Sequence, residues 1–269
     1  MAIESRLRVL SWNLWWRYGP WEERLPAIKS TLASVDADVI ALQEVWDDGE
    51  RNEAEELAEG LGFEHVYASR VDIDGVKLGN AVLSRWPIEF HETMPLPAPA
   101  GSEEFRVCLR ADIAGPRGSF QFYTTHLNWR FDQSHVRQEQ IRTIARFIDD
   151  GPDRTYPPIL CGDFNAPPDS YEIWMLTGRT TVPVWKLVFH DAWEAADEKT
   201  GSFDGMTWSN ANPFAAPSFE PNRRIDYVFA GWPKEDGAGQ IVKCAVVGKD
   251  AVDGIHASDH YAVVAELRY

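Results

Sequence analysis

Tyr156-Pro157-Pro158-Ile159-Leu160-Cys161-Gly162-Asp163-Phe164-Asn165 is an apolar run that closes on an acid and an amide. Residues 158–162 read as a buried strand, so Asp163 and Asn165 lie where that strand leaves its sheet. Near the other end of the chain, Ser258-Asp259-His260 opens Tyr261-Ala262-Val263-Val264-Ala265-Glu266-Leu267, a second strand. If these two strands run antiparallel, the end of one and the start of the other share a rim. Outward from them the pattern repeats. Leu7 to Trp12 delivers Asn13, Val39 to Gln43 delivers Glu44, Phe120 to Thr125 delivers His126, and Asp226 opens a run through Tyr227, Val228 and Phe229. A lone polar residue after a strand is usually a turn residue or helix cap. Six strand ends of one kind predict instead that distant residues converge, because such groups are costly to bury without a partner.

The remaining periodicity supplies the frame. Leu25, Ile28, Leu32 and Val35 recur at helical spacing over 22–35, and Ile141, Ile144, Ala145 and Ile148 do so over and just beyond 134–147. Strands are expected around 7–13, 38–44, 63–69, 77–84, 88–94, 105–114, 119–126, 158–162, 225–229, 241–247 and 260–268. Helices follow the first, second, seventh and eighth of these. The pattern predicts an α/β (α+β) fold of two mixed sheets packed face to face with helices on the outer faces. The chain of 269 residues is 44% hydrophobic and has no interior linker, so residues 1–269 read as one domain. Residues 200–222, rich in Gly, Ser, Asn and Pro, form the longest loop, and long loops in compact domains are often functional.

Charge narrows the partners. Lys and Arg total 26 against 42 Asp and Glu, a formal charge of −16, so the overall field repels polyanions and disfavours duplex DNA. Cys108, Cys161 and Cys244 sit singly in apolar strands, which argues against a disulfide framework and a zinc site. No signal core or membrane-length run is visible, so a cytoplasmic location is expected, and no protein partner is legible.

The residues delivered to the rim have complementary chemistry. Glu44 is the leading ligand for a hard cation such as Mg2+, or Mn2+, which takes oxygen donors and few protein carboxylates. Asp259 supplies a second carboxylate, and Asn13 coordinates or orients without adding charge. Asp163 is placed to take a proton from water that Asn165 holds. His260 and His126 donate to phosphoryl or leaving oxygens, and Asp226 fixes the tautomer of His260. Trp15, Trp16 and Trp129 read either as ordinary packing or as a platform for substrate. Arg106 reads as a phosphate contact or an ordinary salt-bridged arginine.

Taken together, Trp12-Asn13, Gln43-Glu44, Gly79 to Ser84, Thr125-His126-Leu127, Gly162 to Asn165, Thr207-Trp208, Arg224 to Tyr227 and Ser258-Asp259-His260 resemble the endonuclease/exonuclease/phosphatase superfamily, in order and in kind. The resemblance runs from Asn13 to His260. It implies a four-layer sandwich, divalent-metal dependence and inline attack of water on a phosphoester. By position it makes Glu44 the principal metal ligand with Asn13 and Asp259 nearby, Asp163 and Asn165 the water-activating pair, and Asp226 and His260 a dyad. His126 resembles a histidine near the leaving group, with Asn80 standing where relatives set a polar group beside it. The expected activity is that of a metal-dependent phosphoester hydrolase, a phosphodiesterase in particular. Its substrate is then a small diester, a phosphorylated metabolite or single-stranded nucleic acid. A nuclease is the alternative within the class, and a noncatalytic binding module on the same fold is the alternative outside it.

Overall fold

Strands whose residues alternate between two apolar surroundings serve two cores at once. The computed structural model describes residues 5–99, 101–102, 104–153, 155–202 and 204–269. In β1 (Arg6–Asn13), Leu7 and Val9 enter one core while Leu10 and Trp12 enter another. In β2 (Val39–Asp47), Val39 and Ala41 face the first core and Ile40 and Leu42 the second. This is why both strands read as continuous apolar runs.

Seven strands make one sheet. Its order is β10 (Glu198–Thr200), β12 (Ile241–Val247), β13 (Ala262–Arg268), β1, β2, β4 (Val76–Ser84), β3 (Glu64–Ile73). Six make the other, in the order β5 (Ile88–Pro95), β6 (Val107–Gly115), β7 (Gly118–His126), β8 (Ile159–Asp163), β11 (Asp226–Gly231), β9 (Phe189–Asp191). Between them lies a core including Val9, Val39, Leu109, Phe122, Cys161 and Val228. Helices α1 (Trp21–Val35) and α2 (Glu53–Leu61) cover the seven-stranded sheet through Ile28, Leu32 and Leu57. Helices α3 (Ser134–Asp149) and α4 (Tyr171–Thr177) cover the other through Ile141, Ile144 and Ile173. Each such side chain contributes roughly 1.5–3 kcal/mol when buried. The four layers are those expected from the sequence.

Register places the chemistry. In the six-stranded sheet His126 is aligned with Asp163 across the parallel β7–β8 pair, and Asp163 with Asp226 across the antiparallel β8–β11 pair. Three functional candidates therefore form one lateral row. In the other sheet Asn13 is aligned with Gln43. The ends of the Asp163 and Asp259 strands meet across the stacked sheets: β8 and β13 belong to different sheets. Glu44 does not end its strand. It lies in a bulge between Leu42 and Val45 of β2, with φ 54°, and the strand continues to Asp47. Short elements β9, α5 (Ala192–Ala195) and β10 carry too little periodicity to be read from sequence.

Two consequences can be measured. Gly162 has φ 151°, and a Cβ there would lie 2.0 Å from Thr125 O in the neighbouring strand. Gly162→Ala is expected to cost about 2–4 kcal/mol, read as a lowered denaturant midpoint. Glu53, in the first turn of α2, is 2% exposed, and Trp46 N–H donates to its Oε2 at 3.3 Å. Burial pushes its carboxyl up to about 8, against the pull of Arg24 and the Trp46 N–H. A raised acid favours the fold while it is protonated, so this contribution is lost as pH climbs from about 4.5 to about 8. Glu53→Gln should therefore raise the melting temperature at pH above 8 and change it little near pH 4. The limiting gain is about 5 kcal/mol.

Candidate active site

The strand ends described above meet in a cavity of about 350 Å³ lined by Glu44, His126, Asp163, Asn165, Asp259 and His260. Asp163 stands at its centre. Its Oδ1 accepts from Asn165 N–H at 2.8 Å and its Oδ2 from Asn13 Nδ2 at 3.1 Å. His126 Nε2 is 3.5 Å and His260 Nε2 3.8 Å from the same Oδ2. Asn13 Nδ2 also reaches Glu44 Oε1 at 3.2 Å, while its Oδ1 accepts from Trp15 N–H. Asn13 thus bridges the two sheets. Beneath it, Gln43 Nε2 donates to Thr124 Oγ1 at 3.0 Å, a second polar tie between them.

The two histidines are held in opposite states. His260 Nδ1 lies 2.9 Å from Asp226 Oδ2. Burial disfavours its charge, but Asp226, then Asp259 and Asp163, outweigh burial and hold the imidazole well above its usual range. His126 faces Arg106 instead, whose Nη1 lies 2.8 Å from Nδ1. Burial, then the Arg106 and His260 cations, hold it well below that range. Asn80, the position resembling a partner of His126, donates to Val107 O at 3.1 Å and does not line the cavity. The guanidinium of Arg106 takes the place beside the imidazole.

Burial raises the carboxyls too. Asp163 rises to about 7 through burial and the nearby Asp226, against His260, Asn165 N–H and Asn13. Asp259 rises to about 7 through burial and Glu44, against His260 and Arg24. Glu44 Oε2 and Asp226 Oδ1 are buried with no hydrogen-bond partner. Crowded carboxyls with an orphaned oxygen suit a hard divalent cation. Asp163, Asp226 and His260 form the tightest group, with ligand atoms within 4.8 Å of one another. Nδ1 of that histidine is already taken by Asp226, whereas Glu44, beside Asp259 in the cavity lining, keeps Oε2 free. Left-handed backbone at Trp15, Trp16, Glu44 and Asn165 concentrates strain here.

Of the candidate substrate contacts, Trp15, Arg106 and Trp129 line the cavity. Trp16 does not; its Nε1 donates to Lys77 O at 3.0 Å and its ring packs on Tyr18. Sequence reasoning passed over Tyr18, Glu104, Glu220 and Arg223, which also line it. Their loop positions carry no periodic signal. It missed Arg24 as well, which is 1% exposed and donates to the carbonyls of Leu14, Trp15, Trp16, Tyr18 and Ala257. That arginine pins the loop after Asn13 to the segment before Asp259. A larger cavity of about 520 Å³, between α1 and β12, contains none of these residues.

The fold and the chain are similar to known proteins. YbhP of Escherichia coli is 29% identical over 154 residues, covering 52% of this chain and 58% of that one. The inositol phosphosphingolipids phospholipase C of Schizosaccharomyces pombe is 27% identical over 213 residues, 71% of this chain and 49% of that one. The chain thus spans about half the length of the curated relatives it matches. TDP2 of D. rerio, solved with a single-strand DNA product, superposes with TM-score 0.76 at 20% identity, covering 99% of this chain and 100% of that one. Residues 10–260 match the model of a family whose members hydrolyse phosphoesters, and the segments that converge on Asp163 fall within that match; the chain belongs to the endonuclease/exonuclease/phosphatase family.

Proposed function

We propose that the protein is a divalent-cation-dependent phosphodiesterase acting on small diesters by inline attack of water. The observation that carries this reading is the convergence on Asp163 Oδ2 of His126 Nε2 at 3.5 Å and His260 Nε2 at 3.8 Å, beside Glu44, whose buried Oε2 has no hydrogen-bond partner. Glu44, with Asp259 and Asn13, would hold the cation, Mg2+ or Mn2+. When bound, it neutralises phosphoryl charge and stabilises the departing oxygen.

The chain's own groups do the rest. Asp163, raised toward neutrality by burial, takes the proton as the water oxygen bonds to phosphorus and the ester P–O bond breaks. Asn165 positions that water. His260, kept protonated by Asp226, donates to a phosphoryl oxygen, and neutral His126 lies on the other flank of Asp163. Three free buried cysteines are in keeping with a reducing, cytoplasmic location. Among the described residues no helix is long and apolar enough to cross a membrane.

Hydrolysis of bis-p-nitrophenyl phosphate in Mn2+ or Mg2+, abolished by a chelator and restored by metal, is the expected result. No turnover with either metal, alongside retained phosphate binding, would return the noncatalytic reading. A nuclease remains the second reading, favoured by exposed Trp129 at the cavity mouth and by the single-strand DNA product bound to the D. rerio protein.

A further inference from the structure

We infer that Glu104 and Glu220 make the cavity selective against polyanions, so that the preferred substrate carries one phosphoryl group between uncharged or apolar substituents. The inference builds on the hydrolase reading and names its substrate class. Among the described residues Arg106 and Arg223 are the arginines that line the cavity, and each is held by a glutamate lining the same cavity. Arg106 gives Nε and Nη2 to Glu104 Oε1 at 3.0 and 2.7 Å, and its Nη1 faces His126. Arg223 Nη2 pairs with Glu220, and the guanidinium lies 4.7 Å from the Phe131 ring.

An ordinary reading is that these are two structural salt bridges. Exposure separates the cases. The Glu104 and Glu220 side chains are 18% and 26% exposed, against 10% and 11% for their arginines. Each carboxylate is thus more open to solvent than the guanidinium it holds. Glu44, Asp163 and Asp259 add further acid, a surplus of three over the two arginines when all are ionised. A divalent cation and protonated His260 only cancel that surplus, so the cavity holds no excess positive charge and each phosphate beyond the one at the cation adds uncompensated negative charge.

The surroundings continue the bias. A groove of about 770 Å³ adjoins the cavity past Glu104 and Trp129, and among the described residues carries Asp72 and Asp74 against one arginine, Arg130. An extended polyanion would run along acids there, and like charges set against each other are repelled. Within the cavity, Val71, Ile73, Leu78 and Trp15 instead offer apolar contact to an uncharged substituent.

The test compares the p-nitrophenyl phosphodiester of thymidine with the same diester bearing a second, terminal phosphate. Wild-type protein should favour the first by about tenfold or more in kcat/KM, a gap that shrinks as salt is raised. Glu220→Gln should narrow the gap, and Glu104→Gln should do so independently. Equal rates on both diesters, or a gap unchanged in both folded variants, would overturn the inference while leaving the hydrolase reading intact. If neither diester is turned over, the hydrolase reading fails, and selectivity is read from binding of thymidine monophosphate against thymidine bisphosphate. Equal affinity for the two would end the inference there as well.

Discussion

Asp163→Asn is expected to lower kcat by about 10⁴-fold with little loss of fold, because it removes the group proposed to take the water's proton. The amide can still accept from Asn165 N–H, as Oδ1 does now at 2.8 Å. It also removes a carboxyl that burial holds near 7, so the melting temperature at neutral pH should hold or rise. Catalysis requires the ionised form, so wild-type kcat/KM should fall as pH drops through about 7 and below. A bound cation stabilises the carboxylate and shifts that fall to lower pH. Steady-state rates across pH, with circular dichroism on the same samples, check both halves. A variant with near-wild-type kcat would remove Asp163 from the chemistry.

Glu44→Gln should weaken Mn2+ binding by at least about 100-fold, the scale at which ligand-shell losses act. The substitution is nearly isosteric, and the amide oxygen can still accept from Asn13 Nδ2 as Glu44 Oε1 does at 3.2 Å. What disappears is the anionic charge and the buried Oε2 that has no partner among protein atoms. Activity should then require far higher metal, with saturating metal restoring part of kcat. Paramagnetic resonance of free Mn2+ gives the binding constant directly. Unchanged affinity would place the cation elsewhere, with Asp163, Asp226 and His260 the next set to examine.

The frame of the molecule was legible because apolar runs leave a period that survives any tertiary detail. Leu7 to Trp12, Val39 to Leu42 and Ile159 to Cys161 each form the strand their composition implies. The polar residues closing those runs converge, since a strand end fixes its position through the ladder behind it. Other features depend on registers that no local pattern encodes. The bulge that turns Glu44 is visible only in how β2 meets β4. That Arg106 rather than Asn80 faces His126 follows from the approach of the chain before β6. Tyr18, Glu220 and Arg223 reach the cavity from loops, where alternation gives no side to a residue.

Asn13 bonds at once to Glu44 in its own sheet and to Asp163 across the interior, so the proposed catalytic constellation is divided along the plane where the two halves touch. Sliding one half past the other by a single residue, about 3.3 Å, would part these groups while every ladder stayed whole. Spectroscopic helix and strand content would not register such slippage. Turnover would, which makes it the most sensitive gauge of how tightly the halves of this molecule are seated under heat or denaturant.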